Sequence, residues 1–407
     1  MPNRRISSVL TVSLLSFAVV AATPAEPWKR HTIDDSSRGA DGVRLADVND
    51  DGLPDIATGW EEGGVIRVYL NPGARAVKKP WPRVTAGNVK APEDAVLVDL
   101  DGDGRMDVVS CCEGGTRTIF VHWAPKTRDE YLTAEAWQTQ AFPATTGKQS
   151  WMYCLPMQID GQHGVDLMVG SKGGGATVGW LQAPADSRNV SEWKFHPLYK
   201  AGWIMSLESL DVDHDGDQDV VVSDRTGARR GVFWLENPGP PAASARRAWT
   251  EHRIGGDGLE VMFLAVADLD QDGQTDIVTS TRNKQLLFFR RQSVDPVRWQ
   301  SRAIENPHGI PLGKAVAVAD IDRDGRLDLI HGTNTGGKRS FPGLVWMSYQ
   351  KQVSEARWIP HDISGPQGVK FDLIQVLDLD GDRDLDVITC EERDNLGVIW
   401  YENPLRP

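Results

Sequence analysis

Seven copies of a nine-residue acidic turn divide this 407-residue chain into units of similar length. The clearest copy is DLDGDGRMD, Asp99 to Asp107; the others begin at Asp47, Gln158, Asp211, Asp268, Asp320 and Asp378. First positions are separated by 52, 59, 53, 57, 52 and 58 residues, a period that signals stacked copies of one supersecondary unit rather than unrelated domains. A ring of such units escapes the size limit of a single core, because each packs only on its neighbours. A second set of landmarks runs out of phase with the first: Trp28, Trp81, Trp137, Trp193, Trp249, Trp299 and Trp358.

Several of these tryptophans open a WxxHxI pattern, as in Trp28 to Ile33, that alternates like a half-buried strand. Each unit therefore reads as four strands. One enters the acidic turn (Ala95 to Asp99), one leaves it (Asp107 to Ser110), a third ends in a turn (Val232 to Gly239), and the tryptophan strand is fourth. No long stretch shows apolar residues at helical spacing. The expected fold is all-β, a seven-bladed β-propeller of four-stranded blades. The last unit stops after GVIWYENP without a tryptophan strand, and a surplus one stands at the other end. Trp28 to Ile33 is thus expected to close the ring beside Gly397 to Tyr401.

Residues 1–25 stand apart: Arg4 and Arg5, an apolar run from Val9 to Ala22, then small residues. That is the layout of a secretory signal peptide. Residues 26–407 then form a single propeller domain, secreted or periplasmic and monomeric, with no membrane insertion. Of four cysteines, Cys111 and Cys390 occupy a column that is Gly or Ser elsewhere, and Cys154 an apolar column. They read as buried thiols, with a Cys112–Cys154 bridge left open for an oxidising compartment.

A hard cation such as Ca²⁺ takes six to eight oxygens, and a nine-residue turn offers them when side-chain oxygens fall at positions 1, 3, 5 and 9. Five turns are complete: Asp47, Asn49, Asp51 and Asp55; Asp99, Asp101, Asp103 and Asp107; Asp211, Asp213, Asp215 and Asp219; Asp268, Asp270, Asp272 and Asp276; Asp320, Asp322, Asp324 and Asp328. The last, Asp378, Asp380, Asp382 and Asp386, keeps its carboxylates but has Arg383 where the turn glycine belongs. The third has Gln158, Asp160, Gln162 and Asp166, and is expected to be empty or weak. About six structural calcium ions would offset most of a formal net charge of −13.

DxDxDGxxD turns between short apolar strands resemble FG-GAP or VCBS repeats, the unit of the integrin α-subunit head and of many secreted bacterial propellers. The WxxHxI strand and the WxEN turn also resemble propellers of the aldos-2-ulose dehydratase type. The resemblance covers essentially residues 28–404, and it is specific for fold and metal rather than for function.

The face opposite the acidic turns is the usual home of a ligand at the channel mouth. Twelve of 15 tryptophans belong to repeated columns; Trp60, Trp151 and Trp203 do not, and are expected in loops on that face. They suit stacking on sugars or anchoring a partner, beside a basic arc that includes Lys172, Arg225 and Arg282. No compact catalytic signature is present. His31, His196, His252 and His361 recur in the tryptophan strands and read as structural, leaving His308, Tyr153 and Arg225 as the candidates for acid, base or charge stabiliser. The acidic balance disfavours nucleic acid. The expected function is an exported calcium-binding propeller that serves as a module for carbohydrate or extracellular protein. The alternative is a polysaccharide lyase or sugar dehydratase at the channel mouth.

Overall fold

A computed structural model describes residues 26–239, 249–306, 309–334, 341–353 and 357–405; the expected signal peptide lies outside them. The described chain forms seven four-stranded antiparallel sheets. In the first blade the strands are Ala40–Ala46, Asp55–Trp60, Val65–Tyr69 and Arg83–Gly87. Five further blades repeat this order, and the seventh is built from Phe371–Leu377, Asp386–Glu391, Gly397–Glu402 and Lys29–Asp34. The N-terminal strand does close the ring, with Lys29 opposite Glu402 and His31 opposite Trp400. First strands meet one another in ring order around the axis. Among the described residues no helix is long and apolar enough to cross a membrane.

Two repeated devices explain why this sequence makes blades. On the outer side, each patterned histidine lies directly opposite a third-strand tryptophan: His31 stacks on Trp400 at 4.4 Å, His252 on Trp234 at 4.2 Å and His361 on Trp346 at 3.9 Å, and His196 is tilted against Trp180 at 4.8 Å. Such cross-strand pairs fix register. Between blades, the small-residue column of the second strand leaves room for the next blade's first strand. A methyl group on Gly170 would lie 2.5 Å from Ile204 Cγ2 of the following blade. Cys111 likewise shares an apolar cluster with Cys154 across a blade boundary, whereas Cys112 lies in another, so the thiol on the Cys154 side is Cys111 rather than Cys112. All four cysteines are free and buried.

Two histidines inside the blades carry a pH dependence. Burial holds the imidazole of His122 down to about 3, and that of His331 down to about 4. Unfolded, both take a proton below about 6.5. Folded, they stay neutral, so the unfolded state gains protons first and stability is lost as pH falls from about 6.5 towards 4. Urea midpoints measured across that range are expected to fall with pH, and to fall less steeply in His331→Gln.

Candidate functional site

Each acidic turn is held by its ninth residue. Asp55 Oδ2 accepts the backbone N–H of Val48 at 2.8 Å, and Asp386 Oδ2 that of Leu379 at 3.0 Å; the same bond recurs in all seven turns. The other oxygen takes an N–H from the end of the third strand, as from Asn71 at 2.7 Å and Asn403 at 2.9 Å. Asn71, Asn237 and Asn403 of the WxEN-type turns return the contact by donating to the carbonyl of the eighth residue, Pro54, Gln218 and Leu385. The ninth aspartate thus has a structural role in addition to the metal-ligand role expected of it. Burial pushes these carboxyls up, to about 7 in Asp107, Asp219, Asp276, Asp328 and Asp386, and their aspartate neighbours add to the rise.

Within single turns the carboxylates converge on a common point. Oxygens of Asp99, Asp101 and Asp103 lie within 4.8 Å of one another, as do those of Asp211, Asp213 and Asp219 and of Asp268, Asp270 and Asp276. That spacing suits oxygens arranged round an ion at 2.3–2.6 Å. Asp99 Oδ1, Asp211 Oδ1 and Asp270 Oδ1 are buried and receive no hydrogen bond. In the last turn Asp384 is 2 % exposed and no donor reaches either of its oxygens. Outer oxygens are partly answered by cations: Arg188 pairs with Asp101, Arg290 with Asp270, and Lys78 with Asp380 at 2.8 Å.

The third turn replaces this arrangement with an amide. Gln158 Nε2 donates to the carbonyls of Gln162 at 3.2 Å and Gly164 at 2.7 Å, the latter being the seventh-position oxygen a cation would use. Asp160 is held by Gln182 at 2.5 Å. The turn therefore closes on its own donors.

Backbone conformation in the turns includes one feature absent from the sequence reading. The sixth residue is left-handed, as the glycines there require, and Arg383 adopts φ 78° in the same place. The fourth residue is left-handed too, in every turn: Asp50, Gly102, Gly161, His214, Gln271, Arg323 and Gly381. Arg383→Gly is expected to raise stability by roughly 0.5–1 kcal/mol, since ~1–2 kcal/mol of left-handed strain outweighs the extra freedom of glycine in the unfolded chain. Chemical denaturation of the two proteins checks it.

At the opposite end of the first strands the register shifts at a bulge in all seven blades. A bulge re-aims side chains, and here it turns one residue or more of every blade towards the axis. Asp41, Glu93, Tyr153, Met205, Phe263, Lys314 and Leu373 line a small enclosed cavity there. Below it Arg44 grips Asp94 through two hydrogen bonds of 3.0 and 3.1 Å and lies 4.1 Å above the Tyr153 ring. Tyr153 in turn donates to Glu208 at 3.4 Å. Side chains of blades one to four thus meet one another across the channel.

This geometry corrects the expected ligand face. Trp60 and Trp151 are fully buried inside strands: Trp60 donates to the Tyr69 hydroxyl at 2.9 Å and Trp151 to the Thr145 carbonyl at 3.3 Å. Neither offers a face to a sugar. Trp203 is half-buried, with Lys172 and Arg225 standing over its ring at 4.6 and 4.2 Å. The basic arc is answered locally, Arg225 and Arg282 by Glu260 at 3.1 and 3.4 Å, and Lys172 by Glu93 and Glu113. Among the catalytic candidates, Tyr153 is 3 % exposed with its hydroxyl pushed far up by burial, Arg225 is engaged as above, and His308 lies outside the described residues. Of the two that are described, Tyr153 is turned to Glu208 and Arg225 to Glu260.

A family model described as an FG-GAP-like repeat matches residues 47–110, 211–279 and 268–331, each span running from one acidic turn into or through the next blade's turn or its second strand. No curated protein matches the chain. Among solved structures, BBS1N in complex with ARL6DN superposes with a TM-score of 0.52 at 9 % identity, over 93 % of this chain and 98 % of that one. Sqt1 of Saccharomyces cerevisiae superposes with a TM-score of 0.51 at 11 % identity, over 93 % and 100 %. Identities this low speak for the fold alone. The seven sheets make the chain a seven-bladed β-propeller, and three stretches of it match FG-GAP-like repeats.

Proposed function

We propose that the protein is an exported, calcium-organised propeller that acts as a binding module for another protein. One observation carries the calcium reading: buried carboxylate oxygens lack donors in turns that keep their aspartates, whereas the turn that lost two of them supplies an amide in the cation's place. Those residues fit a hard divalent ion, which would neutralise the turn and tie its carbonyl and carboxylates together. A protein partner is favoured over a carbohydrate because Trp60 and Trp151 are buried and two cations already stand over Trp203. Export is supported by the charge and hydropathy layout of residues 1–25. Native mass spectrometry of the calcium-loaded protein is expected to count about six tightly held ions from the turns. A count unchanged by Asp101→Ala and Asp270→Ala would refute the assignment. Retention of an intact polysaccharide on the protein would refute the choice of partner.

A further inference from the structure

The channel mouth holds a second acidic group that shares no residue with the turns. Asp41, Glu61, Glu93, Glu113, Asp372 and Glu392 stand there, from blades seven, one and two. Three ammonium groups answer some of them. Lys314 lies 2.5 Å from Asp372; Lys370 pairs with Glu392 and lies 3.8 Å from Asp372; Lys172 lies 3.0 Å from Glu93 and pairs with Glu113. Glu61 is left against the Glu113 carboxyl. The Asp41 carboxylate is left with neither a hydrogen bond nor an ion pair among the described residues, although Asp41 is only 5 % exposed.

Asp41 is also where the group comes together. One of its oxygens lies within 4.8 Å of oxygens of Glu61 and Glu93, and it belongs to a similar set with Asp372 and Glu392. A carboxylate out of water and unpaired persists there only beside a counter-charge or as the protonated acid. The enclosed cavity that Asp41, Glu93 and Lys314 line has a volume of about 20 Å³. That admits one water-sized body and excludes a sugar ring. Lys314 and Lys370 act on Asp41, and Lys370 and Lys172 on Glu61, through the field of their charge and without an ion pair, so three ammonium groups face six carboxylates and negative charge remains in excess.

We propose that Asp41, Glu61 and Glu93 hold one hard divalent cation at the channel mouth, on the face opposite the acidic turns. The ion joins blade one to blade two at the axis. Its existence is independent of whether the turns bind calcium.

The test uses the metal-stripped full chain, its crystals soaked in manganese(II), and a count of bound Mn²⁺ by electron paramagnetic resonance. An anomalous difference peak among the three carboxylates is expected in wild-type crystals. Asp41→Asn and Glu61→Gln are each expected to bind one ion fewer than wild type, with all turn sites retained. Absence of the peak overturns the proposal whatever the counts, and means that Asp41 carries a proton. Should Asp41→Asn fail to fold, the more exposed Glu61→Gln and the wild-type map decide the matter.

Discussion

Stripping divalent ions from the protein is expected to lower its melting temperature by about 10 °C or more, and adding calcium back is expected to restore it. A ligand bound only by the folded state adds about 2.7 kcal/mol per site at a hundredfold excess over its dissociation constant. Some six turns contribute, and in each the metal-free state leaves three or four carboxylates around a point with no positive centre. The lost stability is spread round the ring, so a single cooperative transition should move rather than split. Differential scanning calorimetry in calcium and in a chelator makes the comparison. Melts that superimpose would mean that Arg188, Arg290 and Lys78 already supply the counter-charge the turns need.

The third turn separates the metal from the scaffold. Asp166→Ala is expected to destabilise the protein by about 3–5 kcal/mol, equally in calcium and in chelator, because two buried backbone N–H groups lose a charged acceptor. Those donors belong to Ile159 at 3.0 Å and Ala183 at 2.8 Å, and Asp166 is fully buried. Asp101→Ala in the second turn removes only an exposed acceptor, which takes the Asp103 N–H at 3.1 Å, and the outer oxygen that pairs with Arg188. Its cost is expected to be about 2–3 kcal/mol in calcium and close to nothing in chelator. Urea titration of both variants under both conditions gives the four numbers. Equal costs for Asp101→Ala in the two conditions would remove the cation from its role.

Features repeated seven times were legible in the sequence, because repetition averages away local accident. The acidic turns, the tryptophan strands and the missing fourth strand of the last unit named the blades and their closure before any coordinates. Residues outside the repeats were not legible in the same way. Trp60 and Trp151 look like loop aromatics by their lack of a column, yet each lies within a strand, and its burial depends on neighbours far away in sequence. The left-handed fourth residue of the turns carries no compositional signal, since Asp50, His214, Gln271 and Arg323 occupy it in four turns and glycine in three. The basic arc read as a surface for anions because the carboxylates that answer it come from adjoining blades or loops. The amide of Gln158 was recognised as a lost ligand, but that it would also fill the gap follows only from its reach to Gly164.

Closure by Lys29–Asp34 also sets the order of assembly in time. The pairs Lys29 with Glu402 and His31 with Trp400 join residues about as distant as the chain permits. During synthesis the first strand emerges early and must wait, while six blades form, for the edge that it covers. Until it docks, Gly397–Glu402 presents an open row of backbone groups to whatever strand is nearest. Such late, non-local pairing is slow, and at high concentration the waiting strand of one molecule can complete the ring of another. Refolding at increasing concentration should therefore divert material into dimers that exchange this strand, whereas a version with the strand moved to follow residue 405 should close within itself at any concentration.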